Sequence, residues 1–348
     1  MTSSHDTSSP ASSAPAPSAS PAVAPSAGGD AAHADLRRVA VVVNPAKKAG
    51  IDLRATLTDL CREAGWAEPL WLETTVQDPG AGQARQALEE GADLVIVAGG
   101  DGTVRAVAGV LAGTDTALGL IPLGTGNLLA RNLGLEINDP ALAARQALTG
   151  ADRRIDMIRA VVDNDGEGQL FLVMAGLGFD AAIMADANDQ LKDRLGWLAY
   201  VDAGIRNLPG RPVRAMIRID GRRTAVRHIR GVSAGNCGRL QGGFEMFPDA
   251  KVDDGLMDVM TMAPSGRLGW LGVVGSLIER QRGSGKGAAV EYFKGRSVEI
   301  SVARPQEIQL DGDHLGQGTH LAMSVEAGAL TVRVPAADGS GASGSKGR

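Results

Sequence analysis

The sequence predicts an α/β domain followed by a β-rich antiparallel, sandwich-like domain. Between residues 38 and 133, short apolar runs alternate with segments of helical spacing, and glycine-rich turns directly follow two of those runs. After about Asp156 short β-like runs dominate instead. Strands that alternate with helices indicate a doubly wound sheet, and ligands of such sheets bind at the carboxyl ends of the strands.

Four apolar runs are the predicted strands of the first domain, and four segments between them have helical spacing. The strands are Arg38–Val43, Leu70–Thr74, Asp93–Ala98 and Ala117–Ile121, and the helices are Leu53–Ala64, Gln83–Glu90, Thr103–Leu111 and Leu128–Leu133. The β-like runs of the second half are Leu170–Ala175, Val213–Ile219, Thr224–Ser233, Met257–Met262, Ser297–Val302 and Glu307–Leu310. Helices are expected near 188–206 and 268–281, and one or two closing strands over Leu321–Val334.

Composition sets the outer limits of the chain and of its function. The Ser/Ala/Pro-rich residues 1–35 and the Gly/Ser-rich residues 337–348 bury too little apolar surface to fold, so we expect disorder there. We therefore predict an α/β domain over 36–157, a β-rich domain over 158–320, and closing strands over 321–336 that pack back on the first domain.

The bulk numbers exclude several classes of protein. A net charge of -5 argues against a general nucleic-acid binder. The two cysteines, Cys61 and Cys237, lack metal-ligand spacing and suit a reducing cytoplasm. No segment has the roughly 18 to 20 apolar residues that span a bilayer, so we expect no transmembrane segment.

The turn Gly99–Thr103 carries the first chemical signal. Three glycines within four positions separate a buried strand from a helix. Glycine allows backbone amides to approach a phosphate closely, and the helix adds free N–H groups and the positive end of its dipole. Thr103 offers a hydroxyl, and Asp101 stands where it could meet a metal or a nucleotide. The alternative is a tight structural turn whose aspartate caps the helix.

A second turn, Leu123–Asn127, also joins a strand to a helix and favours a two-sided phosphate cradle. Asn44, at the end of the first strand, adds a polar loop on the same edge. The pattern is not a Walker A loop, which requires Gly-x4-Gly-Lys-Ser/Thr. The segment Gly283–Gly287 fails that pattern, because Arg280 and Gly287 stand at required positions.

The two turns resemble the catalytic domain of the diacylglycerol, sphingosine and ceramide kinases, including bacterial lipid kinases. The resemblance covers about 36–335 and continues through further motifs at Arg154–Met157, Gly176–Asp180, Ala234–Asn236, Pro248–Asp258, Val290–Gly295 and Ile308–Asp313. It implies a nucleotide-binding α/β domain related to phosphofructokinases and NAD kinases, followed by a β-rich domain.

The resemblance also implies a site. ATP would lie against Gly99, Gly100, Asp101, Gly102 and Thr103, with Asn44, Thr74 or Thr75, Gly124, Thr125 and Asn127 around it. An acidic pair near the C-terminus would act on the acceptor hydroxyl. Family members carry Asp-Gly-Glu there, whereas this chain has Asp311-Gly312-Asp313, so the role of base is assigned to Asp313 with Asp311 beside it. By itself, Asp-Gly also favours a simple hairpin turn.

Two features of the family bear on metals. Many relatives carry an acid after Asn127, but this chain has Leu128, so Asp101, Asp311 and Asp313 would serve Mg2+ together with the ATP phosphates. In bacterial members a loop holds a structural magnesium through backbone carbonyls and one aspartate. That loop maps to Lys251, Asp254 and Leu256, for which a polar turn is the alternative.

The segment from Arg206 to Arg239 contains nine arginines, no lysine and one acid, Asp220. Alternate arginines, such as Arg214, Arg218, Arg227 and Arg230, could line one face of a 213–233 hairpin. Attraction to an anionic membrane is one interpretation and a solvated sheet face is the other.

The sequence therefore favours an ATP- and Mg2+-dependent lipid kinase of lipid metabolism. We expect it in the cytoplasm, with a diacylglycerol-like or sphingoid lipid met at the membrane surface. A homodimer is compatible with the sequence. The alternatives are a nucleotide- or lipid-binding regulator whose catalysis is weakened, and a kinase of a soluble substrate similar to NAD kinase.

Overall fold

The structure is a computed structural model that describes residues 36–178, 212–240, 245–264 and 290–336. Several predictions lie outside these residues: both disordered tails, the helices near 188–206 and 268–281, the loop Gly283–Gly287, and the end of the Gly176–Asp180 motif. Among the described residues, no helix has both the length and the apolar character needed to cross a membrane.

The first half of the described chain alternates strands and helices as predicted. Its elements are β1 (Val39–Val43), α1 (Leu53–Ala64), β2 (Leu70–Glu73), α2 (Ala81–Glu89), β3 (Leu94–Gly99), α3 (Asp101–Leu111), β4 (Ala117–Pro122), α4 (Leu128–Asn132) and α5 (Pro140–Thr149). Helix α5 was not predicted from the sequence, and α3 begins two residues earlier than predicted, because it starts inside the glycine turn.

The second half is built from strands within the described residues. They are β5 (Ala151–Val162), β6 (Gln169–Phe171), β7 (Met174–Gly178), β8 (Val213–Ile219), β9 (Arg222–Ile229), β10 (Gly231–Gly235), β11 (Met257–Met262), β12 (Val290–Gly295), β13 (Ser297–Leu310) and β14 (Asp313–Val334). The predicted strand Thr224–Ser233 is divided between β9 and β10, which have different neighbours. The runs Ser297–Val302 and Glu307–Leu310 form one strand, β13, whose register with β14 shifts between them.

One sheet runs through both halves. Its main order is β12-β11-β10-β7-β13-β14-β4-β3-β1-β2. The strands β2, β1, β3 and β4 are parallel, and β14 joins β4 through the pair Val332↔Leu118. On the other side of β14 the pairing becomes antiparallel. The predicted fold class, an α/β domain followed by a β-rich domain, is confirmed.

Helices cover both faces of the parallel strands, because alternate residues of each strand point to opposite faces. On β3, Ile96 packs toward α1 and α5, whereas Val97 packs toward α2, α3 and α4. The apolar stripe of α1 begins after its N-cap, Asp52, and the helix ends at Gly65, whose φ of 71° suits a left-handed cap. Because the helices pack on the two faces of the sheet, the carboxyl ends of its parallel strands lie at one edge, where ligands of such folds bind.

The second half contributes to the same core. Phe247 and Met260 belong to the cluster that α2, α3 and α4 cover, and a separate cluster fills the β-rich part around Phe171 and Ile300. Of the predicted arginine face, Arg214 and Arg218 are exposed on β8, and Arg218 pairs with Glu299 at 3.3 Å. Arg230 instead follows β9, is half-buried and donates its backbone N–H to Met262.

Asp156, on β5, is almost fully buried and forms hydrogen bonds to three segments that are distant in the sequence. Its Oδ2 accepts a hydrogen bond from the N–H of Gly255 at 2.7 Å, and its Oδ1 accepts one from Gly328 at 2.8 Å. Its backbone N–H donates to Val252, and its carbonyl oxygen accepts from the Asn236 side chain. The motif Arg154–Met157 therefore has a structural basis in this carboxylate.

Replacing Asp156 by Asn should destabilise the fold. The asparagine side chain has the same shape as the aspartate, but only its oxygen accepts a hydrogen bond. One of the two buried N–H groups therefore loses its partner, which lowers the free energy of unfolding by about 1–3 kcal/mol. Urea denaturation would measure this loss. Asp115→Asn, at an exposed carboxylate, is the matched control and should stay within about 0.5 kcal/mol of the wild type. Equal stability of the two variants would contradict the role of Asp156.

Candidate functional site

The two glycine turns lie against each other at the carboxyl edge of the parallel strands. Gly99 pairs with Pro122 in the β3–β4 ladder, and the N–H of Leu123 donates to Gly99 at 2.9 Å. A Cβ placed on Gly124 would lie only 2.8 Å from the Cα of Gly100. Position 124 therefore requires glycine, because the backbones of the two turns are in direct contact there.

Asp101 ties the two turns together. Its Oδ2 accepts a hydrogen bond from the N–H of Asn127 at 2.8 Å, and its Oδ1 accepts one from Leu128 at 2.7 Å. Both N–H groups belong to the start of α4, so Asp101 caps that helix rather than its own helix, α3. A Cβ on Gly126 would lie 2.6 Å from the Asp101 carboxylate. The side chain predicted to meet a metal or nucleotide thus has both oxygens engaged in joining the turns.

Asn127 shapes the second turn from within. Its backbone is left-handed, with φ 48°, a conformation that Asn tolerates better than most residues. The Oδ1 atom accepts from the N–H of Gly124 at 2.9 Å, and the Nδ2 group donates to the Gly124 carbonyl at 2.8 Å. The side chain is buried and closes the loop on itself. We conclude that Asn127 preorganises the turn.

The other predicted nucleotide-binding residues lie along the same edge. Asn44 follows β1 and donates its backbone N–H to Ala98 at 3.0 Å. Thr74 follows β2 and is buried, whereas Thr75 and Thr125 are exposed. Thr103 is buried beside Gly99, and its methyl group faces Gly80. The structure therefore brings together the residues that were predicted to surround ATP.

The turn between β13 and β14 holds Asp311 rigidly. Its carboxylate accepts hydrogen bonds from three successive backbone N–H groups, Leu172 at 2.9 Å, Val173 at 2.8 Å and Met174 at 2.9 Å. Burial raises the pKa of the Asp311 carboxyl, against the lowering effect of these N–H groups and of the nearby Arg105 guanidinium. Asp311 is therefore an anchored carboxylate that fixes the shape of the turn.

Asp313 has the opposite environment. Its side chain is 57% exposed and forms an ion pair with Arg105, whose side chain is only 17% exposed. Arg105 lies one turn after Asp101 on α3, so the two side chains share one face of that helix. One helix thus connects the glycine turns to the Asp311–Asp313 turn. Arg105 was not predicted from the sequence, although its spacing of four residues from Asp101 places both on one face of a helix.

The predicted metal loop lies elsewhere, directly before β11. Asp254 accepts from the N–H of Leu256 at 3.1 Å and forms an ion pair with Lys294 at 3.0 Å, and Lys251 is exposed. Across the described ranges, no three acidic, histidine or cysteine side chains are grouped as metal ligands. The sheet edge therefore has the start of α3 on one side and the exposed carboxylate of Asp313 on the other.

Two alanine substitutions in the glycine turns should differ sharply in stability. Gly124→Ala forces the two turns apart, because its Cβ meets the Gly100 backbone and the Asn127 side chain, and overpacking of this kind costs about 1–3 kcal/mol. A Cβ on Gly102 meets nothing within 4 Å, and Ala favours the helix, so Gly102→Ala should keep or raise the Tm. Thermal unfolding compares them, and equal Tm values would refute the contact.

Comparisons with known proteins place these features in a family. Residues 38–160 match the diacylglycerol kinase catalytic domain, and residues 173–334 match the YegS C-terminal NAD kinase beta sandwich-like domain. The chain is 32% identical over 317 residues to a "Probable lipid kinase YegS-like" of Pseudomonas aeruginosa, with 87% of this chain and 96% of the relative covered.

Two further proteins agree with this assignment. The diacylglycerol kinase of Bacillus subtilis is 32% identical over 249 residues, which cover 68% of this chain and 77% of that protein. The crystal structure of a "putative diacylglycerol kinase" from Bacillus anthracis has a TM-score of 0.67 at 25% identity, covering 86% of this chain and 97% of that one. Both glycine turns lie within the catalytic-domain match, and the chain therefore belongs to the diacylglycerol kinase family of lipid kinases.

Proposed function

We propose that the protein transfers the γ-phosphate of ATP to the hydroxyl group of a diacylglycerol-like or sphingoid lipid. The observation that carries the proposal is the double link made by α3. At its start Asp101 joins the two glycine turns, and one helical turn later Arg105 binds Asp313. The turns proposed to bind the phosphate donor and the carboxylate proposed to act on the acceptor are therefore linked by one helix, α3.

The donor side fits the phosphates of ATP. The first N–H groups of α3, which directly follow Gly99 and Gly100, have no partner within that helix. Free N–H groups at a helix start, together with the helix dipole, favour an anion. Asn44, Thr74, Thr75 and Thr125 lie around the same edge, where they are proposed to contact the nucleotide.

Asp313 is the proposed base on the acceptor side. It is exposed and has a carboxylate oxygen beyond the one that Arg105 binds, so it can take the proton of a lipid hydroxyl. The hydroxyl oxygen then forms its bond to the γ-phosphorus, and the bond to the β,γ-bridging oxygen breaks to release ADP. Asp311, already bound by three N–H groups, positions this turn rather than moving a proton.

Mg2+ is proposed to accompany ATP and to neutralise charge on the phosphates. Both oxygens of Asp101 and those of Asp311 are engaged with backbone N–H groups. Asp313 therefore has the most accessible carboxylate of the three, and the ATP phosphates would supply most of the other oxygen ligands. We propose a cytoplasmic enzyme that meets its lipid at the membrane surface.

The direct experiment is to incubate the protein with a cellular lipid extract and radiolabelled ATP, then to identify labelled lipids. Asp313→Asn should lower kcat by about 10²–10⁴-fold, as expected for loss of a general base. Asp115→Asn, remote from both turns, should retain the wild-type rate. A wild-type rate in Asp313→Asn would refute its role.

A catalytically weakened regulator is the second candidate, and the shorter Asp313, held by Arg105, is the feature that favours it. It predicts that ATP raises the Tm while no lipid becomes labelled. Labelled lipid from the wild type would exclude this candidate.

Arg105→Met should lower kcat by about tenfold, equivalent to about 1.4 kcal/mol in the barrier. Without the guanidinium, Asp313 loses the partner that holds it beside α3, whereas Arg105→Lys keeps a positive charge and should retain more activity. Steady-state assays at varied ATP concentration give kcat and KM for ATP separately, and so distinguish an effect on the position of Asp313 from an effect on ATP binding. A raised KM for ATP with an unchanged kcat would mean that Arg105 binds the phosphates and does not position Asp313.

A further inference from the structure

The ammonium group of Lys294 lies among three oxygen atoms at the loop that was predicted to hold a structural magnesium. Its Nζ is 3.0 Å from Asp254 Oδ2, 3.3 Å from Asp258 Oδ2 and 3.1 Å from the carbonyl oxygen of Asp249. Lys294 is on β12, directly opposite Asp258 on β11. The antiparallel register of these two strands therefore positions the lysine side chain beside the 249–258 loop.

The group is partly shielded from water, which strengthens its electrostatics. The side chain of Asp258 is 8% exposed, that of Asp254 is 23% exposed, and that of Lys294 is 31% exposed. Burial raises the pKa of the Asp258 carboxyl, and the Lys294 ammonium opposes that rise. Burial lowers the pKa of Lys294, but the two carboxylates outweigh it and the net direction is upward, so the ammonium stays charged.

One carbonyl oxygen and two carboxylates form the kind of donor set that hard cations prefer. The magnesium predicted for this loop depends on the carbonyls of Lys251 and Leu256 and on a single side chain, Asp254. That side chain has one oxygen on Lys294 and the other on the N–H of Leu256. A divalent cation bound to Asp254 would lie beside an ammonium of like charge, so the residues do not fit the metal.

We infer that Lys294 is the built-in cation of the 249–258 loop and that this loop binds no divalent metal. The lysine fixes the loop from the β12 side. On the opposite side, Asp156 binds the N–H of Gly255 and donates to the carbonyl of Val252. The loop is thus held between one buried anion and one partly buried cation. This inference is independent of the proposed lipid kinase activity and is tested without nucleotide or lipid.

The test is thermal unfolding of the full chain in EDTA and in MgCl2. The wild type should have the same Tm in both. Lys294→Met should lose several degrees in EDTA, because Asp254 and the nearly buried Asp258 are left without their cation. It should regain part of that loss with Mg2+, because its empty donor set becomes available to the metal. Lys251→Met is the matched control, with an exposed lysine in the same loop, and should resemble the wild type.

A second variant keeps the test decisive if Lys294→Met does not fold. Asp254→Asn should lower the Tm equally in EDTA and in MgCl2, because it weakens an ion pair and not a metal site. A wild-type Tm that rises with Mg2+ and no longer does so in Asp254→Asn would overturn the inference. So would a Lys294→Met protein as stable as Lys251→Met in EDTA, or one that gains nothing from Mg2+.

Discussion

The carboxylate of Asp101 is the interaction on which the site depends. It accepts two hydrogen bonds from the start of α4 while its own backbone begins α3. Two parallel strands, β3 and β4, end side by side, and the turns that follow them approach so closely that only glycine fits at Gly124. Without a short acceptor at Asp101, the N–H groups of Asn127 and Leu128 would lose their partner and the two turns would lose their common geometry.

Helix α3 connects the glycine turns to the second half of the chain. Arg105, one turn after Asp101, reaches Asp313, while Asp311 is bound to the segment between β6 and β7. Strand β14 then runs from this turn to the edge of β4. The two carboxylates of this short turn consequently differ: the partly buried Asp311 fixes the backbone, and the exposed Asp313 is the one proposed to act on the acceptor hydroxyl.

Local pairing of charges decides how each predicted acid can act. Asp101 and Asp311 have their oxygens bound by backbone N–H groups, and Asp254 is paired with Lys294. A carboxylate whose oxygens already accept such bonds keeps fewer lone pairs for a metal than a free carboxylate does. Lys294, on the neighbouring strand β12, supplies a positive charge at the loop where the resemblance implied a magnesium.

The sequence alone determined the fold class and the two glycine turns, because strand-to-helix periodicity and glycine spacing are local properties of the chain. The family came from the resemblance of its ordered motifs to those of lipid kinases. Helix α5 and the division of 224–233 into two strands were missed, since packing and strand partners decided them. Only the tertiary structure showed that Asp101 caps α4, that Arg105 reaches Asp313 and that Lys294 reaches Asp254. Those contacts join residues 26, 208 and 40 positions apart, and no pattern within one segment specifies which distant group will lie beside a charge.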